Sequence, residues 1–190
     1  MEDTVTAAIS IGAGLGLAAA CGFRVFIPLL IVSMASRVGL IDLSDGFAWI
    51  SSTPALTCLA AATIAEVVAY YVPVVDNLLD SIATPAAVVA GIVVSAAVMV
   101  DIDPWLKWTL ATVAGGGFAA AVQIPMVVTR GVSTGTTGGV ANPAVTTGEV
   151  VAASMVSGLA VFFPLLLPLA GLALVVAFFR LTQRKKPAGS

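Results

Sequence analysis

The strongest constraint on the fold of this 190-residue chain is the length of its uncharged stretches. Residues 83–100 and 150–179 contain no Asp, Glu, Lys or Arg. About 20 consecutive apolar residues are enough for a helix to cross the hydrocarbon core of a bilayer. The sequence therefore predicts an all-α, polytopic transmembrane helical bundle that forms a single domain over residues 1–190. Only 9% of the residues are charged, which excludes a soluble enzyme, a nucleic-acid-binding protein and a disordered protein.

The residue types that usually carry catalysis or bind transition metals are scarce. The chain has no His, and both cysteines, Cys21 and Cys58, lie in apolar stretches. Imidazole and thiolate groups are the usual ligands of zinc, copper and iron and the usual parts of an activated nucleophile. We therefore expect no metal, no cofactor and no enzymatic activity. A membrane-embedded enzyme would have to use a carboxylate pair such as Asp76 and Asp80.

Proline, glycine and charged residues divide the first half of the chain into helices. The segment 7–35 contains several glycines and Pro28, which predicts a kinked or broken helix with Arg24 near its middle. A second helix is predicted to begin with Thr53 as its capping residue and to end near residue 71. A short segment, 72–81, then precedes a third helix over 84–100.

The second half is divided in the same way. A fourth helix is predicted over 105–129, followed by a Gly-, Thr- and Ser-rich loop over 131–148 in which Asn142 caps a helix starting at Pro143. Residues 150–179 would be about 45 Å long as one helix, against a hydrocarbon core of about 30 Å. Prolines near the midpoint, Pro164 and Pro168, therefore predict two helices joined by a turn.

The charges at the end of the chain predict its orientation. A basic cluster precedes and enters the tail 184–190, and basic residues favour the cytoplasmic side of a membrane. We therefore expect a multi-pass protein of the inner membrane with a cytoplasmic C-terminus. The cluster consists of Arg180, Arg184, Lys185 and Lys186.

A weak internal repeat relates residues 7–100 to residues 105–183. The segments 25–28, 53–57 and 70–73 resemble 122–125, 142–146 and 161–164 in the same order. Three helices per half would make the second half enter the membrane from the opposite side, which is the inverted-topology arrangement of many transporters. The prediction is thus six helices as a 3+3 inverted repeat. Five helices remain an alternative, because the distribution of Lys and Arg fits both.

The order of several short motifs resembles a known bacterial family of integral membrane proteins. These motifs are Gly22-Phe23-Arg24-Val25-Phe26-Ile27-Pro28, Glu66, Val75-Asp76-Asn77 with Asp80, Arg130, Thr137-Gly138-Gly139-Val140-Ala141-Asn142-Pro143 and Glu149. Together they resemble the family catalogued as domain of unknown function four-one-two-six. The resemblance covers nearly the whole chain and implies a small polytopic inner-membrane protein, without implying an activity. The chain departs from the family pattern at Tyr70-Tyr71, Ala83, Gln123 and Met126, where the family has charged or histidine side chains.

Charged side chains inside a membrane are costly, so each one is a candidate functional residue. Arg24 and Glu66 lie deepest in the predicted helices. They either form a structural ion pair, Arg24 with Glu66 or with Asp76, or line a polar cavity with the Gly/Thr-rich loop. The predicted ion- or substrate-binding residues are Arg24, Glu66, Asp76, Asn77, Asp80, Gln123, Arg130, Thr137, Asn142 and Glu149.

These features predict a small inner-membrane transporter or channel that moves an ion or small charged solute through a polar cavity. The alternative is a non-transporting structural or assembly protein, because the glycines at 12, 14, 16 and 115–117 suit close helix packing and homo-oligomer contacts. The expected partners are the lipid bilayer and a small ion or solute, and no nucleic acid.

Overall fold

The computed structural model describes residues 2–170, apart from the side chains of residues 2, 3, 73, 74 and 77. Over this range the chain has helices and no strands, which confirms the all-α prediction. A 3₁₀ turn, Ala48–Ser51, precedes α3, and a π-helical turn, Ala111–Gly115, joins α5 to α6. The helices are α1 (Glu2–Cys21), α2 (Phe26–Arg37), α3 (Thr53–Ala69), α4 (Pro73–Val98), α5 (Pro104–Leu110), α6 (Gly116–Thr137) and α7 (Asn142–Phe162).

Four helical segments are long and apolar enough to cross a membrane, which indicates a membrane protein. They are Thr4–Cys21, Leu78–Val98, Pro104–Thr137 and Asn142–Phe162. The third of these is continuous, because the π-helical turn links α5 and α6 without ending the helix. Two further apolar helices, α2 and α3, are shorter.

The predicted break in the first apolar segment is confirmed. α1 ends at Cys21, α2 begins at Phe26, and Arg24 lies in the non-helical stretch between them. Gly22 brings this stretch close to α6. A Cβ atom at position 22 would lie 2.6 Å from the carbonyl oxygen of Ala119, so a larger residue would push the break away from α6.

The prediction of a separate short segment before the third helix is wrong. Residues 73–98 form one helix, α4, with Pro73 in its first turn and Pro85 in its interior. Proline removes one backbone hydrogen bond from a helix interior, but packing against neighbouring helices lets membrane helices tolerate it. As a result, Asp76 and Asp80 lie one turn apart at the start of a long helix.

The prediction of a long Gly/Thr-rich loop is also wrong. α6 continues to Thr137, well past the predicted end near residue 129, and α7 begins at Asn142. The hydroxyls of Thr136 and Thr137 donate to carbonyls one turn earlier, at 2.8 and 2.7 Å, so they do not compete with the helix. Gly138 ends α6 in the left-handed conformation, with φ of 64°.

Neither predicted helix cap is observed. Ser52, one residue before Thr53, accepts the hydrogen bond from the amide of Ala55 and caps α3. Asn142 is itself the first residue of α7, and its side-chain amide donates to Asp76 instead of capping the helix. The demand of a buried carboxylate for donors explains why the Asn142 amide turns away from its own helix.

The end of the described chain agrees with the predicted break near Pro164. α7 ends at Phe162, a turn contains Pro164, and residues 166–170 are helical again. The full extent of this last helix and the basic cluster Arg180, Arg184, Lys185 and Lys186 lie outside the described residues.

α1 lies at the centre of the bundle and packs against α4, α6 and α7. Small residues allow these close approaches. A Cβ atom on Gly16 would lie 2.8 Å from Cβ of Ala160, and Ser95 donates a 3.0 Å hydrogen bond to the carbonyl of Gly14. The buried core between the helices is apolar and includes Leu17, Ala18, Cys21, Val94, Ala97 and Ala160.

The bundle has two polar ends separated by this core. One end contains the α1–α2 break and the turn between α6 and α7. At the other end, the turn between α4 and α5 and the loop after α2 line a pocket of about 640 Å³. Along α4, Asp80 and Val98 are separated by about 27 Å at the helical rise of 1.5 Å per residue.

Candidate functional site

Five charged side chains form a buried cluster at the first of these ends, which we call the ion-pair network. Arg24 comes from the α1–α2 break, Asp76 and Asp80 from the start of α4, Arg130 from α6 and Glu149 from α7. Four of the five side chains are at most 2% exposed. Asp80 is 15% exposed and is therefore the member with the most access to the surroundings.

Glu149 binds both arginines. Its Oε2 atom lies 2.6 Å from Nη2 of Arg24 and 2.8 Å from Nη2 of Arg130. Its Oε1 atom accepts from Nε of Arg130 at 3.0 Å, which makes the Arg130 interaction bidentate. Bidentate guanidinium–carboxylate pairs fix orientation as well as adding energy, so Glu149 locks α7 against α6 and the α1–α2 break.

Arg130 also binds the carboxylates of α4. Its Nη1 atom donates to Oδ1 of Asp80, and Oδ1 of Asp76 lies 3.8 Å from the same nitrogen. Tyr70, the residue that follows α3, stacks against both arginines. Its ring centre lies 3.9 Å from Cζ of Arg24 and 4.4 Å from Cζ of Arg130, which are cation–π distances.

A second set of contacts joins α4, α6 and α7 beside the network. The side-chain amide of Asn142 donates to Oδ2 of Asp76 at 2.6 Å and to the hydroxyl of Thr134 at 2.9 Å. Asp76 is fully buried and Asn142 is 2% exposed. The polar contacts therefore continue from the ion pairs to the turn between α6 and α7.

The ion-pair network lies within a stretch of the chain that matches a known protein family. The sequence profile of the domain of unknown function DUF4126 matches residues 11–184, which include every member of the ion-pair network. The chain belongs to the DUF4126 family. No curated protein and no solved structure matches this chain.

In this DUF4126 protein, six of the predicted site residues come together. Five of them form the ion-pair network, and Asn142 contacts it through Asp76. The six are Arg24, Asp76, Asp80, Arg130, Asn142 and Glu149.

Glu66 lies next to the network but does not pair as predicted. Its two carboxylate oxygens accept from the backbone amides of Val25 and Phe26, at 2.8 and 3.1 Å. The first amides of a helix lack hydrogen-bond acceptors within that helix. Glu66, which belongs to α3, supplies the acceptors for the amides at the start of α2. Arg24 therefore pairs with neither of its two candidate partners, Glu66 or Asp76. Its partner is Glu149.

The other predicted residues are not part of the network. Gln123 is buried on α6 about two turns before Arg130 and makes no hydrogen bond to the described network residues. Thr137 is exposed, and its hydroxyl bonds Ser133 and the amide of Ala141 at the turn before α7. The side chain of Asn77 lies outside the described side chains.

Two residues of the site were missed by sequence reasoning. In the sequence Tyr70 is only a departure from the family pattern, yet its ring covers both buried guanidinium groups. Thr134 lies in the predicted loop, but in the structure it contacts Asn142 from the last turn of α6. No sequence signal predicts this stacking, because Tyr70 is distant along the chain from both arginines.

The charges of the ion-pair network do not balance. Three carboxylates surround two guanidinium groups, so the network carries one excess negative charge when all five groups are ionised. Several buried polar atoms there also lack a partner within the described chain, namely Nε and Nη1 of Arg24, Oδ1 of Asp76 and Oδ1 of Asn142. The site can therefore accept further donors, acceptors or positive charge.

Proposed function

We propose that this protein is a small inner-membrane transporter or channel for an ion or small charged solute, and that the ion-pair network is its gate. The single observation that carries the proposal is the incomplete bonding of the network at its buried centre. In the observed arrangement the network is closed, since four of its members are at most 2% exposed. Opening requires at least one ion pair to separate.

The energetics favour a functional role for these charges. A buried ion pair contributes little net stability, because removing two charges from water costs about as much as their attraction returns. Polar atoms that are buried without a partner cost a further ~1–3 kcal/mol each. A tie between helices would not need the unpartnered donors of Arg24, the unpartnered acceptor of Asp76 or an excess charge. A solute that enters the site would supply the missing partners.

The opposite end of the bundle supports a route through the protein. The 640 Å³ pocket there is lined by acidic side chains and by Lys107. Its acidic residues are Asp42, Asp45, Asp101 and Asp103. Between the two ends, α1 approaches α4 closely at small residues such as Gly14 and Ser95. We propose that solute moves along this interface when the helices separate.

The proposal includes the 3+3 inverted repeat and the cytoplasmic C-terminus. Two of the three matched segments occupy comparable positions. α3 begins at residue 53 and α7 begins at residue 142. The end of α3 is followed by residues 70–73, and the end of α7 lies within residues 161–164. The third match differs, because residues 25–28 begin α2 whereas residues 122–125 lie inside α6. Glu149 has no acidic counterpart in the first half, so the site itself is asymmetric.

A structural or assembly role is the alternative, and one observation favours it. Most of the glycines expected to mediate close packing do so within this chain, with Gly14, Gly16 and Gly115 against neighbouring helices, whereas Gly117 faces open space. The network would then hold four chain segments together without opening. Neither proposal assigns acid–base catalysis to Asp76 and Asp80, because both carboxylates are engaged by the Nη1 atom of Arg130.

Flux measurements on reconstituted protein separate the two roles. Proteoliposomes on a solid-supported membrane would be exposed to concentration jumps of Na⁺, K⁺, Cl⁻, acetate and phosphate. We expect current or tracer uptake for at least one of them, and its loss in Arg24→Ala. The matched control is Arg37→Ala, which removes an exposed arginine outside the network and the pocket and should keep most of the flux. No flux from the wild type, or equal flux in Arg24→Ala, would contradict transport through the network.

A further inference from the structure

The hydrogen bonding between Asp76 and Asn142 is incomplete on both sides. Oδ2 of Asp76 accepts from the Asn142 amide, but Oδ1 has no hydrogen-bond partner within the described chain and lies 3.8 Å from the nearest Arg130 nitrogen. Oδ1 of Asn142 likewise has no partner there. Two buried oxygen acceptors thus belong to side chains that are already in contact.

A third oxygen belongs to a side chain that contacts Asn142. The hydroxyl of Thr134 accepts from the Asn142 amide at 2.9 Å, so its oxygen borders the same side chain. Carboxylate, amide carbonyl and hydroxyl oxygens are hard ligands, the type that binds Na⁺, Mg²⁺ and Ca²⁺. No group of three or more Asp, Glu, His or Cys side chains suited to a metal ion occurs among residues 2–170, which disfavours a divalent ion.

The electrostatics fit one positive charge. The ion-pair network carries one excess negative charge, and a monovalent cation would neutralise it. Asp76 lies in the first turn of α4, where the helix dipole favours the ionised carboxylate. Thr134 lies in the last turn of α6, where the dipole favours a cation. The helix ends therefore favour an ionised ligand on one side and the bound cation on the other.

We propose that Oδ1 of Asp76, Oδ1 of Asn142 and Oγ1 of Thr134 bind a monovalent cation, with Na⁺ as the best-suited ion. This inference rests on the proposed transport function and names the ion that couples to it. Binding there would draw the start of α4 and the start of α7 towards the end of α6. Occupancy of the cation site would therefore control whether Asp76 and Arg130 remain together.

Thermal unfolding tests the cation site without a transport assay. Purified protein in lipid nanodiscs would be titrated with NaCl against choline chloride at constant ionic strength and pH, with tryptophan fluorescence as the readout. We expect a saturable rise in Tm of about 5 °C with Na⁺, because a ligand that binds only the folded state stabilises it. The rise should be absent in Asp76→Asn and in Thr134→Val, and present in Thr136→Val, which removes the hydroxyl of an exposed threonine on the same helix.

Two results would overturn the cation site. One is an equal response of the wild type to Na⁺ and choline, and the other is an unchanged Na⁺ response in Thr134→Val, a nearly isosteric variant that keeps the charge of the network. Thr134→Val decides the question if Asp76→Asn does not fold. Flux measurements keep the two proposals apart. If flux is the same in Na⁺ and choline and no Na⁺ binding is detected, the cation site is overturned and the transport proposal stands. If Na⁺ binds but the protein shows no flux, the transport proposal is overturned and the cation site stands.

Discussion

Glu149 is the residue on which the ion-pair network depends most, because its two oxygens serve both arginines. Arg24 and Arg130 would otherwise be two buried positive charges near the same aromatic ring, that of Tyr70. Removing one partner of a buried ion pair leaves an uncompensated charge, which is far more costly than the pair itself is stabilising. The contribution of Glu149 should therefore depend strongly on Arg24.

A double-mutant cycle measures this dependence. We expect Glu149→Gln to lower the free energy of unfolding by about 3 kcal/mol. In an Arg24→Gln background the same change should cost at least ~1 kcal/mol less, because Arg24 no longer needs a partner. Reversible unfolding in mixed micelles gives the four values, and Asp45→Asn should change stability by less than about 0.5 kcal/mol. Additive effects of the two substitutions would contradict the Arg24–Glu149 pair.

The members of the site could be predicted from the sequence, but their pairing could not. Arg24, Arg130 and Glu149 stand out because charges are rare in this chain and costly in a membrane. Arg24 and Glu149 are 125 positions apart, and their contact depends on how α7 packs against α1. Glu66 is one of two candidate partners of Arg24 in the sequence, but the free amides at the start of α2 bind it instead.

At the scale of elements, composition was a poor guide to helix ends. Residues 131–148 are rich in Gly, Thr and Ser, which is typical of loops, yet most of them are helical. A threonine hydroxyl can donate its hydrogen bond to the carbonyl one turn earlier in the same helix, so it does not need a loop conformation. Apolar surroundings also strengthen the backbone hydrogen bonds of the helix. Pro85 was a comparable case, since packing in α4 outweighs the lost hydrogen bond. Breaks with several signals, such as the one before α2, were predicted correctly.

Two glycine substitutions test the helical assignment of this segment. Gly131 is helical with open space around it, so Gly131→Ala should stabilise the protein by about 0.5–1 kcal/mol. Gly138 has φ of 64°, so Gly138→Ala should destabilise it by about 1–2 kcal/mol. Thermal unfolding of the two variants beside the wild type measures the difference. Effects of the same sign, or no effect of either change, would indicate that residues 131–148 form a loop instead.

The whole molecule is organised around two polar ends and a core of small apolar side chains. The network closes one end, where α1, α4, α6 and α7 meet. The acidic pocket lies at the other end, beyond the buried contacts of α1 with α4. Sequence reasoning could predict the membrane bundle from its uncharged stretches, but not these two ends. Their positions follow from helix packing and from the antiparallel course of α6 and α7.

Chemical block of flux at Thr146 tests most directly whether solute passes through the network. Thr146 is fully buried, and its hydroxyl lies 3.5 Å from the carbonyl oxygen of Tyr70, whose ring covers both arginines. We therefore expect a thiol at this position to react only when the network opens. The background would carry Cys21→Ala and Cys58→Ala, which removes both native cysteines. The control is Thr136→Cys, an exposed position at the same end of the bundle.

Proteoliposomes would be treated with a membrane-impermeant thiol reagent, and the flux of the transported solute would be measured before and after modification. We expect Thr146→Cys to be modified and to lose its flux, whereas Thr136→Cys should be modified and keep it. Full flux after complete modification of Thr146→Cys, or flux that continues while this cysteine never reacts, would contradict a route through the ion-pair network.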